Sequence, residues 1–357
     1  MEHPIWHSIH SQFRLNGISY DTEDLKEFGY SLIKEGEPFE VAIGNFLLDW
    51  TSSKSTLEVF TSGSTGKPKK IELLKEHMVN SALATGEYFQ LKPNQTALLC
   101  LPCSGIAGKM MLVRAMVLGL HLDYVEPSST PLLHSTKAYD FVAMVPLQVQ
   151  NTLKGLPKIK TLIIGGAPVD SDLRKQLSKL STHAFETYGM TETITHIAVK
   201  KIGTDSEHYF ETLPNVHIAM DDRECLVINA PKISNTKIVT NDLVELVSET
   251  QFKWLGRFDS IINSGGIKLV PEQIEEKMAP IINSRFFVAG VPDESLGQKL
   301  VLVIEKSQVD AQELLLQIKK LKSIHKYEVP KKIYAVEPFI ETKSGKVHRK
   351  KIMEQVL

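Results

Sequence analysis

Apolar positions along the chain change their period several times, and the changes divide it into distinct textures. In 25–33 and 41–50 they recur at helical spacing, so the first 56 residues read as helices and loops. The run Leu57-Glu58-Val59-Phe60 reads as a strand. Helical stretches at 77–89, 109–118, 147–153 and 171–180 then alternate with short apolar runs at 97–101, 122–125, 141–145 and 161–164. Strand–helix alternation predicts an α/β domain with a largely parallel sheet.

From about residue 216 the runs shorten and crowd together, at 216–218, 225–228, 236–239 and 243–248, as in a small antiparallel or barrel-like piece. Near residue 256 a third texture begins, with strands at 261–262, 286–291 and 300–304 and helices at 271–279 and 311–322. It reads as a small α+β unit. The segment 255–259, Leu-Gly-Arg-Phe-Asp, is the linker candidate between the textures. A large N-terminal α/β domain over 1–256 and a small C-terminal α+β domain over 260–357 are therefore expected, with the hinge near Asp259.

Composition narrows the function classes. The 357 residues carry 41 basic and 42 acidic side chains, a net charge of −1, which gives no electrostatic footprint for nucleic acid. No run approaches the roughly 20 apolar residues of a membrane span, and the start, Met1-Glu2-His3-Pro4-Ile5-Trp6, lacks a secretory leader's basic and apolar regions. Three cysteines, Cys100, Cys103 and Cys225, suit a reducing cytoplasm. Cys100-Leu101-Pro102-Cys103 follows an apolar run and reads as the end of a buried strand, with no second pair to make a zinc site.

Candidate chemistry concentrates in five segments. Behind the strand at 57–60 come Thr61, Ser62, Gly63, Ser64, Thr65, Gly66, Lys67 and, past Pro68, Lys69. Glycines expose backbone N–H groups, hydroxyls donate and lysines add charge, so this loop can wrap phosphate. It is not the common P-loop, which needs four residues between its glycine and its Gly-Lys; a basic Ser/Gly linker is the bland alternative. Gly165, Gly166, Ala167 and Pro168 close a strand and leave room for a flat ligand, or simply make a tight β–α turn. In Thr187, Tyr188, Gly189, Met190, Thr191 and Glu192, the tyrosine could stack on a purine, Thr191 could donate to phosphate and Glu192 could hold magnesium. A core tyrosine and a capping Thr-x-Glu would look the same. Asp242 suits the two hydroxyls of a ribose, shared with Arg257, or is a turn residue between two strands. Gly265, Gly266 and Lys268 follow, and a Ser-Gly turn presents Lys346 in a basic C-terminal stretch.

These five segments, in this order, resemble the adenylate-forming superfamily of acyl-CoA synthetases, peptide-synthetase adenylation domains and luciferases. The resemblance covers roughly 57–357. It implies carboxylate activation by ATP and magnesium through an acyl-adenylate, then transfer to a thiol such as that of CoA. It assigns Thr61–Lys69 to the leaving pyrophosphate, Tyr188 and Gly165–Pro168 to adenine, and Asp242 with Arg257 to ribose. It assigns Glu192 to magnesium, Lys346 to the attacking carboxylate and the phosphate, and Asp259 to the hinge of a rotating C-terminal domain. Gly265, Gly266 and Lys268 would line the thiol's path.

Typical members have well over 100 residues before the phosphate loop, which here begins near residue 60. Among compact members the chain looks most like o-succinylbenzoate–CoA ligases of menaquinone biosynthesis. The likeness rests on Gly-Gly-Ala-Pro at 165–168, Tyr-Gly-Met-Thr-Glu-Thr-Ile-Thr-His-Ile-Ala at 188–198, and Leu-Pro at 101–102 followed by Arg114. Arg114 sits on an otherwise apolar helix, and a buried guanidinium needs an anion. It is either salt-bridged or snorkelling, or it clamps the second carboxylate of a dicarboxylic acid. Lys109, Ser104, Thr195 and His196 complete the expected acid pocket, although Ser104-Gly105 departs from the aromatic–His pair of many relatives. The alternatives are a ligase for another aryl or medium-chain acid, transfer to a carrier protein, or a degenerate nucleotide sensor. Monomer and homodimer both remain open.

Overall fold

The computed structural model describes residues 5–61, 69–133, 135–203, 209–306, 308, 310–341 and 347–357. The expected phosphate-loop residues from Ser62 to Lys67, and Lys346, lie outside the described residues.

The first two α-helices are Thr22–Glu35 and Pro38–Thr51. Asp21 caps the first by accepting from the N–H groups of Glu23 and Asp24, both at 2.9 Å. The second ends against a buried lysine. Lys75 Nζ donates to the carbonyls of Trp50 and Ser52, each at 3.0 Å, which satisfies acceptors at the helix terminus. Burial pulls this ammonium down from 10.5 to about 8, Asp49 opposing and Lys54 adding.

A prediction arises here. Lys75→Met should lower unfolding free energy at pH 7 by about 2–3 kcal/mol, because both carbonyls lose their charged donor. Between pH 8 and 10 the native lysine binds fewer protons than the unfolded one. Wild type should therefore gain on the variant as pH rises, by up to about 1.4 kcal/mol per pH unit. Urea titrations across that range measure it, and a gap that stays flat would show the ammonium unshifted.

The core is one 12-stranded sheet. Its parallel half runs Arg14–Leu15, His121–Tyr124, Thr96–Leu99, Tyr139–Met144, Ile159–Ile164 and His183–Gly189. Its antiparallel half continues through His196–Ile202, Phe210–Thr212, Gln251–Arg257, Ile238–Leu246, Cys225–Asn229 and His217–Met220. The crowded strands after residue 216 thus extend the same sheet. Val142, Ile164 and Leu162 in the parallel half are fully buried, which is why those runs are continuously apolar. Cys100 and Cys103 lie buried at the end of Thr96–Leu99, where burial pushes both thiols up to about 12.

The stretch 238–246 is one strand, so Asp242 lies inside a ladder rather than in a turn between two strands. Residues 255–257, read as linker, complete the strand Gln251–Arg257. Gly256 and Arg257 there signal a loop by composition, but pairing of Leu243 with Gly256 overrides it.

After the short turn Phe258–Ser260, a second sheet is built from Ile262–Ser264, Ile267–Leu269, Phe286–Asp293, Gly297–Glu305 and Lys332–Val336. Helices Pro271–Met278 and Ala311–Lys320 cover it, burying Ile274, Met278 and Ile318 in its own apolar core. Gly265 and Gly266, with φ of +58° and +82°, form the two-residue hairpin turn between its first strands, a geometry that demands positive φ at both positions. Among the described residues, no helix is long and apolar enough to cross a membrane.

Candidate active site

The parallel strands end side by side at Met144, Ile164 and Gly189, and their carboxyl ends are where open α/β sheets place ligands. Gly165 leaves the strand Ile159–Ile164 with its N–H bonded to Met144 O at 3.1 Å. A Cβ on Gly165 would lie 2.5 Å from Thr187 Oγ1, so the Gly165–Gly166 turn and Thr187 form one continuous surface. Val169, just past that turn, donates its N–H to Glu186 Oε1 at 3.2 Å. Burial alone would raise Glu186, but Lys200 at 3.0 Å and Arg174 hold it below the usual carboxylate range. This partly buried ion cluster anchors the chain just past the turn.

Next along the same strand, the Tyr188 hydroxyl donates to Asp242 Oδ2 at 2.7 Å. Oδ1 accepts from Trp254 Nε1 at 3.1 Å and from Arg257 Nη1 at 3.5 Å. Burial and Asp242 together raise the tyrosine, so it stays a proton donor. Its ring packs edge-on to Phe252 at 5.1 Å between centroids and tilted to Phe210 at 5.8 Å. Arg257 also reaches Asp259, at 3.0 and 3.2 Å.

Gly189 is required by close approach. A Cβ there would stand 2.3 Å from Thr195 O and 2.6 Å from His196 Cα. Gly189→Ala should cost about 2–3 kcal/mol of unfolding free energy, since backbone must move. A urea titration measures this, and a loss below about 0.5 kcal/mol would show that the chain relaxes freely. The chain then turns through Thr191–Thr193 and folds back at Ile194, a β-branched residue with φ of +66° and ψ of −58°. Thr195 N–H bonds to Thr193 O at 2.7 Å, making the rarer, strained γ-turn. The buried Thr193 hydroxyl braces it against Met190 O and Thr195 O. The result leaves Glu192 exposed, Thr195 half-buried and His196 buried.

Thr195 and His196 meet Arg114. Arg114 is 1% exposed. Nε reaches Thr85 Oγ1 at 3.4 Å, Nη2 reaches Thr195 Oγ1 at 3.3 Å and His196 Nδ1 at 3.4 Å, and Nη1 faces Met111 Sδ at 3.7 Å. These contacts are long and neutral. Among the described residues, no carboxylate pairs with Arg114. Burial alone pulls it down to about 9. His196 is pushed well below its ordinary value by burial and by Arg114, so the cluster's positive charge is the guanidinium's. A cavity of about 220 Å³ borders His196 and Ser81.

The structure gathers Gly165, Gly166 and Thr187 in one group, Tyr188, Asp242, Arg257 and Asp259 in a second, and Arg114, Thr195 and His196 in a third. It does not bring Lys109 to Arg114. Five residues apart on a helix, the two point to different faces, and Lys109 Nζ sits over the Phe46 ring at 5.4 Å. Ser104 is exposed in the turn before helix Ile106–Leu118. Lys268 is exposed on its hairpin. Thr85, Trp254 and Glu186 carry site contacts that sequence reasoning missed. Thr85 was hidden in a regular helical period, and Trp254 beside a stretch read as linker.

Magnesium fits the donor set in a limited way. No group of three or more His, Cys, Asp or Glu side chains able to hold a metal occurs among the described residues. A magnesium ion carried by a nucleotide's phosphates needs only one or two protein carboxylates, and the exposed Glu192 can be one.

Residues 52–232 match the family described as AMP-binding enzyme. A 2–succinylbenzoate–CoA ligase of Listeria monocytogenes is 27% identical over 373 residues, 95% of this chain and 75% of that one. Among solved structures, an acyl-CoA synthetase (AMP-forming)/AMP-acid ligase II-like protein from Dyadobacter fermentans is 36% identical, with a TM-score of 0.62 over 93% of this chain and 98% of that one. The o-succinylbenzoate CoA synthetase of Bacillus subtilis, in complex with its acyl-adenylate intermediate, is 18% identical with a TM-score of 0.73 over 92% and 80%. That last likeness is one of fold.

Proposed function

The chain belongs to the AMP-binding enzyme family, and from that premise we propose that it joins o-succinylbenzoate to coenzyme A through an acyl-adenylate. A carboxylate oxygen of the acid attacks the α-phosphorus of ATP, the bond to the β-phosphate breaks, and pyrophosphate leaves. The thiolate of CoA then attacks the acyl carbon and AMP leaves. In this reading the segment 61–69 holds the pyrophosphate, the Gly165–Pro168 turn and Tyr188 flank adenine, and Asp242 with Arg257 holds ribose. Lys346 offsets charge developing between carboxylate and phosphate. Magnesium bound by Glu192 and the phosphates would neutralise charge on the leaving group.

The observation that carries the substrate assignment is Arg114. A guanidinium this buried, ringed by neutral oxygens, a neutral imidazole and a thioether, is a costly arrangement unless an anion completes it. An acid activated at one carboxylate and bound at a second supplies that anion. The relative from Listeria monocytogenes is named for such an acid.

Two units hinged near Asp259 are part of the same reading. The separate apolar cores on either side of residues 258–260 support it, as does the position of Asp259 in the short turn between the two sheets. The thiol's path along Gly265, Gly266 and Lys268 belongs to it too. We place the reaction in the cytoplasm, where ATP and CoA are available.

The test is pyrophosphate release with a panel of acids, with and without CoA. Release with o-succinylbenzoate well above that with benzoate, phenylacetate or octanoate, and thioester formed only with CoA, is the expected result. A monocarboxylate as the best substrate would overturn the assignment, and no release with any acid would leave a nucleotide sensor.

A further inference from the structure

We propose that Trp254 is a positioning residue for the nucleotide's ribose, acting through Asp242. The inference rests on the ribose-binding role of Asp242 proposed above.

Asp242 faces Arg257 and Leu243 faces Gly256, but Val244 faces Trp254. Leu255 is therefore an extra residue, a β-bulge in the strand Gln251–Arg257. In an unbroken strand, positions 254 and 257 would project to opposite faces, since side chains alternate. The bulge puts both on the face that carries Asp242. Both then reach the same carboxylate oxygen, Trp254 at 3.1 Å and Arg257 at 3.5 Å.

The two donors are not equivalent. Arg257 is shared with Asp259 at 3.0 and 3.2 Å, and its side chain is 44% exposed. The indole has a single N–H, no acceptor, and this one partner among the described residues. Trp254 is thus the closer hold on Oδ1, while Tyr188 holds Oδ2 at 2.7 Å. Fixed at both oxygens, the carboxylate keeps its rotamer and presents its remaining lone pair, on Oδ2, in one direction. A ribose hydroxyl arriving there meets a pre-oriented acceptor, which lowers the cost of binding.

The test is equilibrium binding of ATP and of 2′,3′-dideoxy-ATP, measured by calorimetry without any acid. Trp254→Phe keeps the ring and removes the N–H. It should weaken ATP about tenfold, the scale of a lost hydrogen bond to a charged group, and leave dideoxy-ATP within about twofold. In an Asp242→Asn background the same change should have little further effect, because the two act through one contact. Equal weakening of both nucleotides, or none, would overturn the proposal.

A second measurement does not depend on the variant folding. The chain has 3 tryptophans. Trp6→Phe and Trp50→Phe identify two of the indole N–H resonances, leaving the third to Trp254. That resonance should move with ATP and not with dideoxy-ATP, and identical responses would count against the inference. The parent reading fails separately. Wild type that discriminates ATP from dideoxy-ATP but releases no pyrophosphate with any acid would remove the ligase assignment and leave Trp254 standing.

Discussion

Arg114→Leu should lower kcat/KM for o-succinylbenzoate by about a hundredfold or more while leaving the KM for ATP within about twofold. The size follows from truncating one partner of a buried charge pair, which costs 2–5 kcal/mol or more. The selectivity follows from placement. Arg114 contacts Thr85, Thr195, His196 and Met111, and no hydrogen bond among the described residues links these four to Asp242 or its partners Tyr188, Trp254 and Arg257. The fold should survive. Leucine removes a cation that burial already disfavours, down to about 9, and this offsets the donors lost to Thr85 and Thr195. A urea titration within about 1 kcal/mol of wild type would bear that out. The decisive comparison is between acids. An aryl monocarboxylate has no second carboxylate to lose, so its turnover should be nearly unchanged by the substitution. Equal loss for both acids would mean that Arg114 shapes the pocket without reading charge, and the substrate assignment would fall.

Much of this organisation was legible in the chain. The parallel strands carry apolar runs because both faces are buried, and 161–164 and 141–145, which overlap Ile159–Ile164 and Tyr139–Met144, could be read from that alone. His183–Gly189 and His196–Ile202 mix charged and apolar residues, since Glu186 and Lys200 pair with each other inside the ladder. Their polarity, which signals exposure in a single sequence, is here satisfied locally. Arg114 was visible as the one charge in the apolar stretch 110–118, but its surroundings were not. Thr85 and His196 reach it from segments 29 and 82 residues away. Trp254 was illegible for a stricter reason. Its approach to Asp242 depends on a one-residue bulge, and register has no signature in composition. Lys109 shows the converse error. Closeness in sequence suggested shared duty with Arg114, and helical geometry separates them.

Lys346→Ala should reduce acid-dependent pyrophosphate release about a thousandfold, the scale on which removal of a group stabilising developing charge acts. In the proposed first half-reaction two anions must come together, a carboxylate and the α-phosphate, and in that reading Lys346 would offset charge that grows as the bond forms. The second half-reaction poses no such problem. Thiolate attack on the acyl carbon of a preformed adenylate expels AMP, and the hinge reading has Lys346 withdrawn by then. CoA ester formation from synthetic o-succinylbenzoyl-adenylate should therefore stay within a few-fold of wild type. The two assays on one variant separate three possibilities. Loss of the first alone supports a lysine that acts in adenylation and then leaves. Loss of both in equal measure would show that Lys346 supports the fold or the thiol path, and would remove the division of labour between the two units. No loss of either would assign the carboxylate–phosphate contact to another cation, and Lys67 and Lys69 in the hydroxyl-rich segment would be the next to substitute.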